Sequence, residues 1–99
     1  MSNENLETGV GSVDAFVDVK EYSGSDFDSE IDLVAEGPTG HPARGIMVLD
    51  AGGGSTLEIV TAAGNTRPLT GALYVGKQLV AAVRKITANT DMGTILVGW

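Results

Sequence analysis

The sequence predicts an all-β fold, a small antiparallel β-sandwich or barrel with a flexible acidic N-terminal arm. Turn signals recur every 8–12 residues from residue 43 onward, and short strands at that spacing are the pattern of a sandwich or barrel. The segments between the turns are short, β-branched and alternating, as in Thr56-Leu57-Glu58-Ile59-Val60-Thr61. The chain has 99 residues and no cysteine, which means one domain with a thin core and no disulfide framework.

Residues 1–12 are polar, carry Gly9 and Gly11, and show no periodicity, so they read as a flexible arm. Residues 13–99 read as one β-domain: acidic strands over 13–36, a Gly/Pro break over 37–42 and a β core over 43–99. Val13 to Val19 alternates imperfectly and is the first strand candidate. Ser23-Gly24-Ser25 is a turn. Asp26 to Leu33 alternates cleanly. As a strand it puts Phe27, Ile31 and Leu33 on one face and the carboxylates of Asp26, Asp28, Glu30 and Asp32 on the other.

Gly37-Pro38-Thr39-Gly40-His41-Pro42 breaks the chain. Gly45 to Leu49 is a short apolar strand, and Asp50 to Ser55 turns the chain. Thr56 to Thr61 is the next strand, followed by the turn Ala63-Gly64-Asn65. Arg67-Pro68-Leu69 leads into a strand at Gly71 to Val75. Ala88 to Asp91 precedes a last strand at Gly93 to Trp99. Between these, Leu79 to Ile86 has two readings. Its propensity is helical, and Leu79, Val80, Val83 and Ile86 share a helical face. As a strand it turns Leu79, Ala81 and Val83 one way and Val80, Ala82 and Ile86 the other. An isolated helix of this length is marginal in water, and the neighbouring elements are strands, so strand is the expectation.

The charge is uneven. Residues 1–36 carry ten acids against Lys20 alone, a net −9, whereas residues 37–99 carry a net +2. Phosphate backbones seek basic stripes, so nucleic acid is not an expected partner. An acidic segment of this kind is a solvated surface or meets a basic partner, including the chain's own second half. The longest clean apolar run, Leu79 to Val83, is far short of the ~20 residues of a membrane-spanning helix. Met1 to Glu7 has acids where a signal peptide has bases. A soluble chain made in the cytoplasm, with no membrane partner, is expected. Mean hydropathy is +0.12 although only five residues are aromatic. That balance points to surface hidden in an oligomer or against a partner.

Little in the sequence carries chemistry. Gly71 to Lys77 nearly matches a phosphate-binding loop, but Gln78 stands where Ser or Thr must hold magnesium. Counted from Asp26 as a calcium loop, Ile31 stands where Gly is needed and Gly37 where Glu is needed. His41 is the only histidine and lies in a loop, so any triad with Ser55 and Asp50 must pass through it. Gly52-Gly53-Gly54 offers amides for an anion nest but reads as a hairpin tip. The expectation is no enzyme, no cofactor and no metal. Trp99 is either a lid on the core or an anchor at a subunit interface, where Trp is enriched.

Ala43-Arg44-Gly45-Ile46-Met47-Val48, Ser55 to Val60, Val83-Arg84-Lys85-Ile86-Thr87-Ala88-Asn89-Thr90 and Ile95-Leu96-Val97 form a wider pattern. Over residues 44–99 it resembles small virion proteins of tailed bacteriophages and gene-transfer-agent particles, of the head-spike-base or capsid-decoration type. The resemblance implies a non-enzymatic virion structural protein that self-associates and binds a major capsid or spike protein. On that reading Trp99, Tyr74 and Leu96 are apolar interface anchors, and Arg44 and Arg84 are partners of acidic arms. Gly52–Gly54 departs from the pattern, and residues 1–36 have no counterpart in it. Two other classes fit the composition: an acidic mimic of DNA that inhibits a DNA-binding enzyme, and a small carbohydrate-binding β-sandwich using some of Phe16, Tyr22, Phe27, Tyr74 and Trp99.

Overall fold

A computed structural model describes residues 16–99. The strands are β1 (Val19–Ser23), β2 (Ile31–Asp32), β3 (Ala43–Asp50), β4 (Thr56–Thr61), β5 (Thr66–Thr70), β6 (Gln78–Ile86) and β7 (Thr94–Gly98). Their ladders are antiparallel and form one sheet in the order β1-β7-β3-β6-β4-β5, with β2 on β6. The predicted all-β antiparallel class is borne out. The first half of β6 pairs with β3 and its last residues pair with β4. Both halves of the sheet feed one core: Ile46, Val48, Ile95 and Val97 from one, Leu57 and Ile59 from the other. The two layers of a sandwich are thus joined through β6 in one unbroken ladder path.

Segment 79–86 is a strand, as expected, and its helical spacing has a physical cause. Val60 and Thr61 face Lys85 and Val83, so β6 carries one extra residue, Arg84. Such a bulge bends the strand and shifts the alternation of its side chains. Val83 and Ile86 are both fully buried, although residues three apart in a regular strand point to opposite faces. The bulge therefore writes a helix-like interval into a strand. Leu49 is a second extra residue, because Val48 and Asp50 face Ile95 and Thr94.

Three expected strands are corrected. The expected arm and residues 13–15 of the first strand lie outside the described residues, and β1 starts at Val19 instead of ending there. The register of β1 is set by Tyr22, which is buried opposite Ile95. Asp26–Leu33 is not one strand. It is a 3₁₀ turn at Gly24–Asp28, the two-residue β2 and a short helix α1 (Leu33–Glu36). The aspartates cause this. Asp26 accepts from the Ser23 N–H at 2.9 Å, and Asp32 accepts from the N–H groups of Val34 and Ala35 at 3.1 and 3.3 Å. Carboxylates that satisfy nearby backbone donors compete with a ladder and start turns and helices. The expected partition still holds, since Phe27, Ile31 and Leu33 are buried while Asp26, Asp28, Glu30 and Asp32 are exposed.

Gly71–Tyr74 is a 3₁₀ turn, and the strand lies earlier, at Thr66–Thr70. A hairpin around Gly64, whose φ of +89° favours glycine, pairs those residues with β4. Pro68 sits opposite Glu58 on this edge strand, where its missing N–H costs no ladder bond.

Trp99, the residue after β7, closes the core. It is 1% exposed, and its indole N–H donates to the Leu33 carbonyl at 2.8 Å. A side chain at Gly37 would overlap the indole, so that position must stay bare. The backbone of Val17 and Asp18 exchanges hydrogen bonds with Trp99. Trp99 is thus the core lid, and the expectation that it anchors a subunit interface is corrected: its surface is spent inside the chain. Trp99→Ala is expected to cost about 3–5 kcal/mol of stability in urea unfolding. Trp99→Phe, which keeps a ring but loses the bond to Leu33, should cost clearly less. Equal losses would contradict the lid.

Candidate interaction face

The outward side of β1, β7, β3 and β6 is built from two cross-strand rows. Val19, Gly98, Gly45 and Val80 stand side by side in the first. Glu21, Leu96, Met47 and Gln78 stand side by side in the second. Period-two alternation sends Ile46 and Val97, which lie between the rows, and Tyr22 and Ile95, just beyond the second row, into the core. Val19 is 49% exposed and Val80 58% exposed, while Leu96 and Met47 are half-buried. Leu49 and Val75 extend the exposed apolar surface at one end, and Val17 at the other.

The paired glycines have a specific use. A Cβ on Gly98 would overlap the Phe16 ring, and one on Gly45 would crowd its tip. Phe16 therefore lies over the two bare positions and fills the space their side chains would have taken. Around it is a shallow apolar depression lined by Val19, Ile46, Met47 and Leu96. The Arg44 guanidinium lies 6.0 Å from the centre of the Phe16 ring. The Gln78 side-chain nitrogen is buried here with no hydrogen-bond partner among the described residues.

Of the residues singled out from sequence, Leu96 is central to this face and Arg44 borders it. Arg84 is exposed on the bulge of β6. Tyr74 is half-buried in its 3₁₀ turn and packs against the core. Trp99 is enclosed. Val19, Met47 and Val80 were missed, and Phe16 was named only among possible sugar-stacking aromatics, because only the cross-strand register brings them together. The glycines at 45 and 98 are the signal that sequence offered, and it needs the register to be read. His41 is exposed in the 37–42 break, as its position implied. The segment with the phosphate-loop spacing leads into β6, not into a helix.

The charged groups elsewhere do structural work. Glu36 accepts from Lys20 at 2.6 Å and from the Tyr22 hydroxyl at 3.0 Å, which ties α1 to β1. These bonds, Lys20 first, hold the Glu36 carboxyl below its ordinary range. Burial first, and then the Glu36 carboxylate, push the Tyr22 hydroxyl upward, so it stays a donor. Lys85 pairs with Glu30 at 3.2 Å. Glu58 accepts from the Thr87 hydroxyl at 2.6 Å and the Asn89 amide at 3.0 Å, and its own N–H donates to Thr90 at 2.9 Å. This pins the 87–91 turn along β4, and the Thr87 and Asn89 bonds lower the Glu58 carboxyl.

A carboxyl held low in the folded state adds stability above its unfolded pKa, near ~4.3, and loses it as pH falls through the folded value. The difference in Tm between the wild type and Glu36→Gln should therefore be largest at neutral pH and close in acid. Glu58→Gln should behave the same way. A gap that widens in acid would contradict both assignments.

Compared with protein-family models, with curated proteins and with solved structures, the chain matches none of them.

Proposed function

We propose that this chain is a non-enzymatic structural protein of a tailed-bacteriophage-type particle, a capsid-decoration or head-spike-base module that docks on capsid or spike subunits. The observation that carries this reading is the apolar outward face of β1, β7, β3 and β6. Exposed Val19, Val80 and Leu49 flank half-buried Leu96 and Met47 there, in a chain whose net charge is −7. A small acidic protein keeps such a surface when it is covered in an assembly. The segments that carry the sequence resemblance support the reading. They form β3, β4, the end of β6 with its turn, and β7; all of them feed the core, and β3 and β7 make the middle of the face. On this reading the work of the chain is adhesion between protein subunits. It needs no cofactor, nucleic acid or membrane, and the protein is found in the virion.

Mass spectrometry of purified particles tests the proposal. The chain is expected at a copy number comparable with the capsid or spike subunit. Its absence from particles would sink the reading. Leu96→Arg places a charge in the middle of the face without entering the core. It should cut incorporation by about tenfold or more, as for a buried interface anchor, while Tm stays close to that of the wild type.

A further inference from the structure

The chain enters the fold from this face. Residues 1–15 precede Phe16, the first described residue, and the Phe16 ring lies on the outward side of β7 and β3, over Gly98 and Gly45. The segment before it therefore starts beside the face. It carries the apolar residues Leu6, Val10, Val13 and Ala15, together with Glu4, Glu7 and Asp14 and no base.

We propose that residues 1–15 of the same chain occupy the outward face of β1, β7, β3 and β6 in the free protein, and that a docking subunit has to displace them. The proposal rests on the assembly reading above and names the regulation of its site. Reach favours this occupant. β1 and β6 stand three strand spacings apart, about 14 Å, and the fifteen residues span up to about 50 Å when extended, so a segment starting at Phe16 can cross all four strands. Charge favours it as well. Asp14 stands two residues before Phe16, and the Arg44 guanidinium lies 6.0 Å from the centre of the Phe16 ring, so acid meets base where the segment enters. The segment is negative and is repelled by the acidic side of the domain, whereas the two rows of the face hold a single acid, Glu21. The third argument is the Gln78 side-chain nitrogen, a buried donor in the apolar depression beside Phe16 with no partner among the described residues. A carbonyl of the crossing backbone supplies its acceptor.

The covalent tether makes weak contacts sufficient. Held beside the face at Phe16, the segment acts at an effective concentration of about millimolar. The apolar rows then stay covered until a capsid or spike subunit competes for them.

Paramagnetic broadening in NMR of the full chain tests this. The chain has no cysteine, so Thr8→Cys gives a single site for a nitroxide label. The amide signals of Leu96, Met47 and Val80 should lose several-fold more intensity than those of Val34 and Ala35 in α1, which packs behind the sheet at Trp99. Equal losses on the two sides overturn the proposal, because a segment that only trails from Phe16 favours neither. A mixture of labelled chain with isotope-enriched unlabelled chain should show no such broadening. Broadening of the face in that mixture assigns the occupant to a second copy and overturns the proposal too. Val10→Asp and Val13→Asp together, which put charges where the segment meets apolar surface, should reduce the excess loss several-fold, and an unchanged excess counts against the contact. Particle mass spectrometry decides the decoration reading separately. A chain that is present in particles but whose label favours neither side of the sheet leaves that reading standing while this one fails.

Discussion

The indole of Trp99 joins parts of the chain that are distant in sequence. Its N–H ends on the Leu33 carbonyl, its ring occupies the space above Gly37, and its backbone holds Asp18 and Val17 against the end of β7. The acidic segment up to Glu36 has few large apolar residues of its own, chiefly Tyr22, Phe27, Ile31 and Leu33, and each of these is buried in the common core. Without the lid, α1 would lose its seat, and β1 would be held mainly by its ladder to β7. A domain of this size buries a modest share of its surface, so one large aromatic carries an unusual part of the total.

The bulges decide the shape built under that lid. The extra residue Arg84 bends β6 where its partner changes from β3 to β4, and Leu49 does the same near the end of β3. A single sheet can then supply apolar residues to one core from both of its halves. Polar groups hold the corners. Asp26 and Asp32 cap local turns, and the Glu58 carboxylate gathers Thr87 and Asn89 against β4. The acidic composition is therefore partly structural. Several carboxylates serve as acceptors for backbone and hydroxyl donors, while the surface as a whole remains strongly negative.

The same architecture separates two surfaces. Acids cluster around α1, the 3₁₀ turn after β1 and β2, whereas the outward side of β1, β7, β3 and β6 is apolar and carries few charges. That division suits a protein kept in solution by one side and held in an assembly by the other. The glycine pair under Phe16 belongs to the second side. Bare backbone on adjacent strands lets a ring from the preceding segment lie flat on the sheet.

Some of this was determined by sequence alone. Turn spacing, β-branched alternation and the Gly/Pro break specify an all-β domain with its main strands at 45–49, 56–61, 79–86 and 93–99, within two residues of the observed ends, because those signals act within a few residues of one another. The burial of Phe27, Ile31 and Leu33 was legible for the same reason, although their element was not. A strand pattern and a series of capped turns share the same alternation when aspartates sit between the apolar residues. The helix-like interval in β6 was ambiguous because a bulge depends on its partner strand. Trp99 had two readings, and only the tertiary structure chose the lid, since the acceptor at Leu33 lies 66 residues away. The face itself was the least legible feature. Leu96 and Arg44 stood out as single residues, but Val19, Met47, Val80, Phe16 and the two glycines meet only through cross-strand register. Register is set by which residues the core admits, and local sequence does not carry that information.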